Sequence, residues 1–297
     1  MLNNLFVSPT RPDRVVIVGA GSFVGKAAKR KLVERGVPQL GLARQDLDLL
    51  STGASGQLAA HLREGDTLLI IAAKAPVKNN EMLLANLQMM AAVCEAISTA
   101  AVGHVIYISS DAVYADSDAP ITESSCAEAS SLHGVMHLAR EIMLANVCKV
   151  PLCILRPTLI YGAHDPHNGY GPNRFRRLVQ RGETIELFGE GEERRDHVYI
   201  DDVAELIVRC ILHKSQGKLN IATGIVTSFR EIADLISSSA SKSVTIKTLP
   251  RSGPMPHRGY RAFDPSATLS AFSDFRYTPL QLGLKLSHDM EFLDGRD

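Results

Sequence analysis

The chain has no excess of either charge: 32 basic and 32 acidic residues cancel. A nucleic-acid or anionic-membrane partner leaves a basic footprint, so neither is expected and a small-molecule ligand is the better default. No apolar run approaches membrane-spanning length. Met1 to Asp13 lacks the basic region and apolar core of a secretory signal, so a cytoplasmic location is expected. Cysteine is sparse, at Cys94, Cys126, Cys148, Cys153 and Cys210, without C-x-x-C spacing. That argues against a disulfide framework or zinc ribbon and suits free thiols in apolar surroundings. Internal repeats and low-complexity tracts are missing too.

What is present is ordinary for a soluble globular protein: 45% hydrophobic and 22% charged residues. At 297 residues the chain can form one two-lobed α/β unit or two domains. Apolar strand-like runs at Arg14 to Val18, Leu40 to Ala43, Thr67 to Ala73, His104 to Ser109 and Leu152 to Leu155 are separated by helical patterns. The helices are expected at Lys26 to Arg35, Met82 to Thr99 and Leu132 to Lys149. Strands spaced by helices imply an α/β fold with a Rossmann-type, doubly wound parallel sheet. Beyond Tyr161-Gly162 the texture changes to a Gly/Pro/His-rich loop and a basic helix candidate, Asn173 to Arg181. The expected division is a dinucleotide-binding domain at 1–162 and a smaller, mainly substrate-binding lobe at 163–297. Segments near 196–222, at His197 to Ile200 and Leu219 to Ala222, are expected to return to the sheet.

Gly19, Gly21 and Gly25 stand directly after a strand and before a helix. That setting lets backbone amides and a helix N-terminus meet a pyrophosphate. An acid at the end of the second strand would serve the ribose of NAD, whereas Arg favours the 2′-phosphate of NADP. The strand ends in Leu42-Ala43-Arg44, so NADP is favoured, with NAD left open through Asp46.

These motifs extend along nearly the whole chain in a recognisable order. Gly19-Ala20-Gly21-Ser22-Phe23-Val24-Gly25 is similar to G-x-x-G-x-x-G, with Ser22 at the middle glycine and Gly21 displaced by one. Asp66 to Ala73 is similar to D-x-V-I-x-x-A-A, and Asn86 matches an Asn of the next helix. Ser109-Ser110-Asp111-Ala112-Val113-Tyr114 matches S-S-x-x-V-Y, and Ile121-Thr122-Glu123 a T-E loop. Leu155 to Gly162 matches L-R-P-x-x-x-Y-G, Arg195 to Ala204 matches R-D-x-V-x-V-D-D-V-A, and Asn220-Ile221-Ala222 the N-I-A/G strand. The chain thereby resembles the extended short-chain dehydrogenase/reductase family of NAD(P)-dependent nucleotide-sugar epimerases, dehydratases and reductases. The Ala43 to Leu49 run leans towards the reductases of deoxysugar synthesis.

The resemblance implies that Gly19, Gly21, Ser22, Phe23, Val24, Gly25, Arg44, Ala72 and Ala73 bind the cofactor. It also implies a Ser at 110 that hydrogen-bonds the reacting sugar oxygen, a Tyr that exchanges its proton, and a Lys four residues later on the nicotinamide ribose. Ser110 is present, but His133 stands for the Tyr and His137 for the Lys. Histidine titrates near 6.5 unperturbed, against about 10 for Tyr, so proton chemistry by His133 can survive. Its ring is shorter, and His137 does not reproduce a permanent ammonium. The alternative is a cofactor-binding protein that has lost catalysis and acts as a sensor or scaffold. Asp111 matches the dehydratase acid, but Ala112 replaces its usual Glu partner, which disfavours dehydration and leaves epimerase or ketoreductase activity.

Basic residues of the second lobe bind the nucleotide diphosphate in this family, which points to Asn173, Arg174 and Arg195, with Arg176, Arg177 and Arg194 nearby. Two histidines at i and i+4 can share a metal. No Glu lies between them and no third ligand is evident beyond His164, His167 or His197, so no metal is expected. Family members pair through two helices, and apolar positions Leu83, Leu87, Met90, Leu138, Ile142 and Ala145 recur at helical spacing. A homodimer is the implied assembly.

Overall fold

The computed structural model describes residues 1–239 and 244–294. Its central sheet is built from β1 (Asn3–Asn4), β2 (Val15–Val18), β3 (Gln39–Leu42), β4 (Thr67–Ile70), β5 (His104–Ile108), β6 (Leu152–Pro157) and β10 (Ser215–Ile221). The spatial order is β1-β10-β6-β5-β4-β2-β3. All pairings are parallel except the short edge strand β1, which runs antiparallel to β10. That edge strand was not evident from the sequence.

Alternation along β2 shows why these strands need helices on both sides. Val15 and Ile17 pack into one apolar cluster with residues of α1 (Phe23–Glu34) and α6 (Ile200–Leu212). Val16 and Val18 turn to the other face, because successive side chains alternate. There they meet α2 (Ala54–His61), α3 (Asn80–Thr99) and α4 (Leu132–Val147). The sheet is thus doubly wound, as the spacing of strands and helices implied.

Helix α3 corrects one expectation, since by length and composition its 20 residues would suffice to cross a membrane. Asn86 within it is fully buried and makes hydrogen bonds to Lys74 and Met82, and Met90 and Val93 join the sheet cluster. The helix therefore covers the sheet with one side.

The second lobe is assembled from β7 (Leu159–Tyr161), α5 (Pro172–Arg181), β8 (Ile185–Phe188), β9 (Arg194–Tyr199), β11 (Val226–Ser228), α7 (Phe229–Ser238), β12 (Ile246–Leu249) and β13 (Tyr260–Arg261). Strands β7, β9, β11 and β13 form one small sheet and β8 and β12 another. Helices α8 (Ser266–Ala271) and α9 (Leu280–Asp294) follow. Leu219 to Ile221 does return to the central sheet, within β10. His197 to Ile200 does not: β9 pairs with β7, β11 and β13 instead, and Ile200 opens α6.

The strand order reverses between β2 and β4, so the loops leaving their C-terminal ends diverge. Such a switch point makes a crevice at the carboxyl edge of the sheet, where ligands of open α/β folds bind.

Candidate functional site

Two cavities occupy that edge. The first, about 410 Å³, is walled by Gly19, Gly21, Ser22, Arg44, Asp48 and Ala72 among others. The second, about 490 Å³, takes in Ser110, Asp111, His133, His137, Arg195 and His197. Ser22 and Ala73 belong to both walls, so one long ligand can run through the two.

The first cavity has the features of a diphosphate cradle. Gly19 adopts a φ of +96°, and a Cβ there would come within 2.6 Å of the Ala72 amide nitrogen; only glycine allows this approach of the two loops. Ser22, at the displaced glycine position, caps α1: its Oγ accepts from the Gly25 amide at 3.1 Å and donates to the Gly19 carbonyl at 2.8 Å. Phe23 and Val24 then form the first helical turn, whose amides lack intrahelical partners and favour an anion. The residues present fit a dinucleotide phosphate.

Arg44 projects from the end of β3 with its side chain 77% exposed, and pairs with Asp48 at 3.3 Å. Lys74 reaches the same cavity. Asp46, the alternative ribose acid, instead turns back to accept from the Ala43 amide at 2.8 Å. The acid on the cavity wall is Asp48, which accepts from the Leu50 amide at 3.0 Å. That bond, ahead of Arg44, holds its carboxyl below the usual range.

In the second cavity, helix α4 is brought against the turn that carries Ser110. A Cβ on Gly134 would lie 2.0 Å from the Ala112 carbonyl oxygen, so the helix start can press on this turn only with glycine there. Ser131 caps the helix by accepting from Gly134 at 3.1 Å. His133 thereby faces the cavity, half-buried, with Nδ1 unpartnered. Burial lowers its basicity, while Asp111 opposes and His167 adds to the effect.

His137 lies one turn further and is deeper. Its ring stands edge-on to that of His133 with centroids 4.8 Å apart, and its Nδ1 is 2.8 Å from the Tyr107 hydroxyl. Burial raises Tyr107 to about 12, so the phenol stays protonated. No other partner for that hydroxyl exists among the described residues, so it donates to Nδ1 and leaves the ring proton on Nε2. Burial, then His133 and Arg140, keep His137 far less basic than a free imidazole. It is a neutral donor where the family has a cation.

Ser110 remains available at the cavity wall, accepting from the Ala112 amide at 3.2 Å. Asp111 is committed elsewhere: Arg261 donates to its Oδ2 at 3.2 Å and to its carbonyl at 2.7 Å, and Arg195 lies 4.0 Å away. Its carboxylate is thus held between two guanidiniums and turned to them rather than left free for a ligand.

The substrate-side residues separate. Arg195 lines the cavity, with Glu193 3.2 Å from its Nη1. Asn173 also reaches the wall, but its amide is occupied by Gly162 at 3.0 Å and Asp165 at 3.0 Å, so it holds the loop rather than a ligand. Arg174 is not on the cavity wall, because α5 turns Asn173, Phe175 and Arg176 inward and leaves Arg174 less buried than these neighbours. Arg176 is buried against Glu291 at 2.7 Å. Arg177 donates to the Asp165 carbonyl.

One cavity residue had not been assigned a ligand role in the sequence. His197 is fully enclosed; its Nδ1 lies 3.1 Å from the Arg195 carbonyl and must donate there, so Nε2 holds an unpartnered lone pair. Burial brings its pKa to about 3. Nothing in the local pattern distinguishes this histidine from a core residue of β9. Among the described residues no group of three or more His, Cys, Asp or Glu is placed to hold a metal.

A glycine phosphate turn at a switch point, continuous with a cavity that carries Ser110, His133, His137 and Arg195, defines a dinucleotide-binding protein of the Rossmann class. The chain belongs to the NAD dependent epimerase/dehydratase family, whose model matches residues 15–222. It is 27% identical to the GDP-L-fucose synthase of Escherichia coli over 262 residues, covering 75% of this chain and 80% of that one. Identity to the UDP-glucose 4-epimerase of Mycolicibacterium smegmatis is 25% over 265 residues, covering 76% and 82%. The fold is similar to a GDP-L-fucose synthetase from Naegleria fowleri bound to NADP, with TM-score 0.83, 18% identity and coverage of 99% and 97%. The Thermus thermophilus UDP-glucose 4-epimerase complex with NAD gives TM-score 0.82 at 22% identity, covering 94% and 99%.

Proposed function

We propose that this protein binds a nicotinamide dinucleotide, with NADP preferred, and acts as an epimerase or ketoreductase on a nucleotide sugar or related hydroxylated substrate. One observation carries the reading: Ser110, His133, His137 and Arg195 share a cavity that meets the dinucleotide cradle at Ser22 and Ala73. When bound, the nicotinamide supplies hydride transfer at a carbinol carbon. This chain's part is the proton and the orientation: Ser110 Oγ hydrogen-bonds the reacting oxygen, His133 exchanges its proton, and His137 Nε2 donates towards the nicotinamide ribose. Arg195 is the cation nearest a substrate diphosphate. The relatives' GDP- and UDP-linked sugars supply the substrate class. The proposal includes a cytoplasmic location and a homodimeric assembly.

A second reading, a cofactor-binding sensor or scaffold without turnover, is favoured by a specific gap. No hydrogen bond among the described residues joins His133 to Ser110, and His137 Nδ1 is taken by Tyr107. Incubation with NADP(H) or NAD(H) and a panel of GDP- and UDP-sugars, followed by nicotinamide absorbance and product NMR, decides between them. Turnover that His133→Ala abolishes at unchanged cofactor affinity supports the enzyme. Tight cofactor binding with no product across the panel supports the second reading.

A further inference from the structure

The sheet interior behind the second cavity holds a cation without an anion. Arg140, in α4, is fully buried, and no carboxylate among the described residues pairs with it. Its guanidinium donates to the Ala72 carbonyl at 2.8 Å and reaches the Met136 sulfur at 3.7 Å. It lies 5.2 Å from the centroid of the Tyr107 ring, and its Nε has no hydrogen-bond partner. Other buried arginines are compensated: Arg156 by Glu141 at 2.5 Å and Arg261 by Asp111 at 3.2 Å. An uncompensated buried ion is strongly unfavourable, so Arg140 in the free protein is an unsatisfied charge.

Two relationships locate the missing anion. Ala72, which receives the guanidinium hydrogen bond, is the residue against which Gly19 packs so closely that a Cβ would meet its amide at 2.6 Å. The cation therefore stands directly behind the wall of the phosphate turn. Secondly, position 137 holds a ring that accepts from Tyr107 and is far less basic than a free imidazole, whereas Arg140, three residues further on the same helix, carries a guanidinium.

We propose that Arg140 adds a buried positive charge to those of Arg44 and Lys74 on the cavity wall, acting through Ala72 on the bound dinucleotide, whose phosphates bring the anion that pairs with it. The interaction is transmitted across protein interior rather than water, so solvent and salt screen it little. Arg140 touches neither cavity directly; it is a positioning residue that sets the potential at the cradle and orients the Ala72 carbonyl. The inference rests on the dinucleotide reading above.

The test compares the parent protein with Arg140→Lys and Arg140→Gln, by calorimetric Kd for NADPH and by thermal unfolding with and without it. Lysine keeps the charge, and glutamine keeps a hydrogen bond to Ala72 without the charge. Lys should bind within about threefold of the parent and Gln about tenfold or more weaker. The Gln variant should also show a smaller NADPH-induced rise in Tm, although without ligand it unfolds no earlier than the parent. A Gln variant with the parent's Kd overturns the proposal. So does a Lys variant weakened as much as tenfold, the comparison that decides if the Gln variant does not fold. A parent that binds neither NADPH nor NADH removes the dinucleotide reading itself, an outcome distinct from either.

Discussion

The Nδ1 atom of His137 sits 2.8 Å from the hydroxyl of Tyr107, inside the protein. Tyr107 belongs to β5, at the middle of the central sheet, and its phenol makes no other hydrogen bond among the described residues. The pair is self-satisfying: one donor meets one lone pair, and neither group is left to carry charge. A residue thus tied cannot stand in for a mobile ammonium at the cavity, and Arg140, one turn further along the same helix, carries a guanidinium behind the wall instead.

Burial makes His104, His133, His137 and His197 less basic, as it does His257, and this makes the fold acid-sensitive. His104 is lowered to about 4 and His197 to about 3, with His133 and His137 lowered as well. The unfolded chain takes up protons near 6.5 while the native one does not, so the stabilisation is complete above 6.5 and lost as pH falls towards the native values. Each such group contributes a slope of about 1.4 kcal/mol per pH unit within its window. Urea unfolding should therefore show stability falling steeply below about pH 6.5. His104→Gln, which can keep the donor bond to the Ser215 carbonyl, should flatten that fall. An unchanged slope in the variant would exclude His104 as a contributor.

Arg44 should decide cofactor preference. It is exposed, paired with Asp48 alone among the described residues, and shares its cavity with Lys74. An exposed Arg on a 2′-phosphate is a charge-assisted pair partly screened by solvent, so Arg44→Ala should weaken NADPH binding roughly three- to tenfold and leave NADH nearly unchanged. Asp48→Asn should move the ratio further towards NADPH, because it removes the acid on that wall. Calorimetry with both dinucleotides reads these effects; a parent that prefers NADH would remove the basis for the assignment.

The parts of this protein legible from sequence are those encoded locally. Glycines 19, 21 and 25 bracket a strand-to-helix turn, and residues 133 and 137 share a helix face by spacing alone, so the cradle and the histidine pair were readable. Asp111 looked like a free acid because its partner, Arg261, is 150 residues away. Asn173 looked like a ligand because its obligations to Gly162 and Asp165 are set by loop geometry. Arg140 carried no signal: an Arg in an amphipathic helix is normally a solvated charge, and only the packed sheet shows it enclosed. Polar chemistry arranged by tertiary contacts is what one chain's pattern hides.

The outward faces of α3 and α4 should mediate pairing. Met90 is consumed by the sheet, but Leu84 is 60% exposed and Ile142 is 62% exposed, with Val135 also at the surface. The two helices pack side by side, so exposed apolar residues on both are expected to contribute to one surface of the sort a two-fold interface buries. Light scattering at micromolar protein should give a dimer, and Leu84→Glu with Ile142→Glu should give a folded monomer. A monomeric parent would set this assembly aside.

Restoring the family centre should need three substitutions rather than two. His133→Tyr supplies reach towards Ser110, and His137→Lys supplies the ammonium, but position 137 is enclosed near the Arg140 guanidinium. Two buried cations repel, and the Lys also loses the Tyr107 hydroxyl as a donor, since an ammonium has no lone pair to offer it. The double variant should therefore unfold several degrees earlier than the parent, about 1–3 kcal/mol of destabilisation, or carry a neutral Lys. Adding Arg140→Ala leaves one cation, now in the family position, and should recover both Tm and NADPH affinity. Thermal unfolding and calorimetry read this before any turnover assay. If the double variant is as stable and binds NADPH as tightly as the triple, Arg140 does not compete with a charge at 137, and the two positions are electrostatically independent.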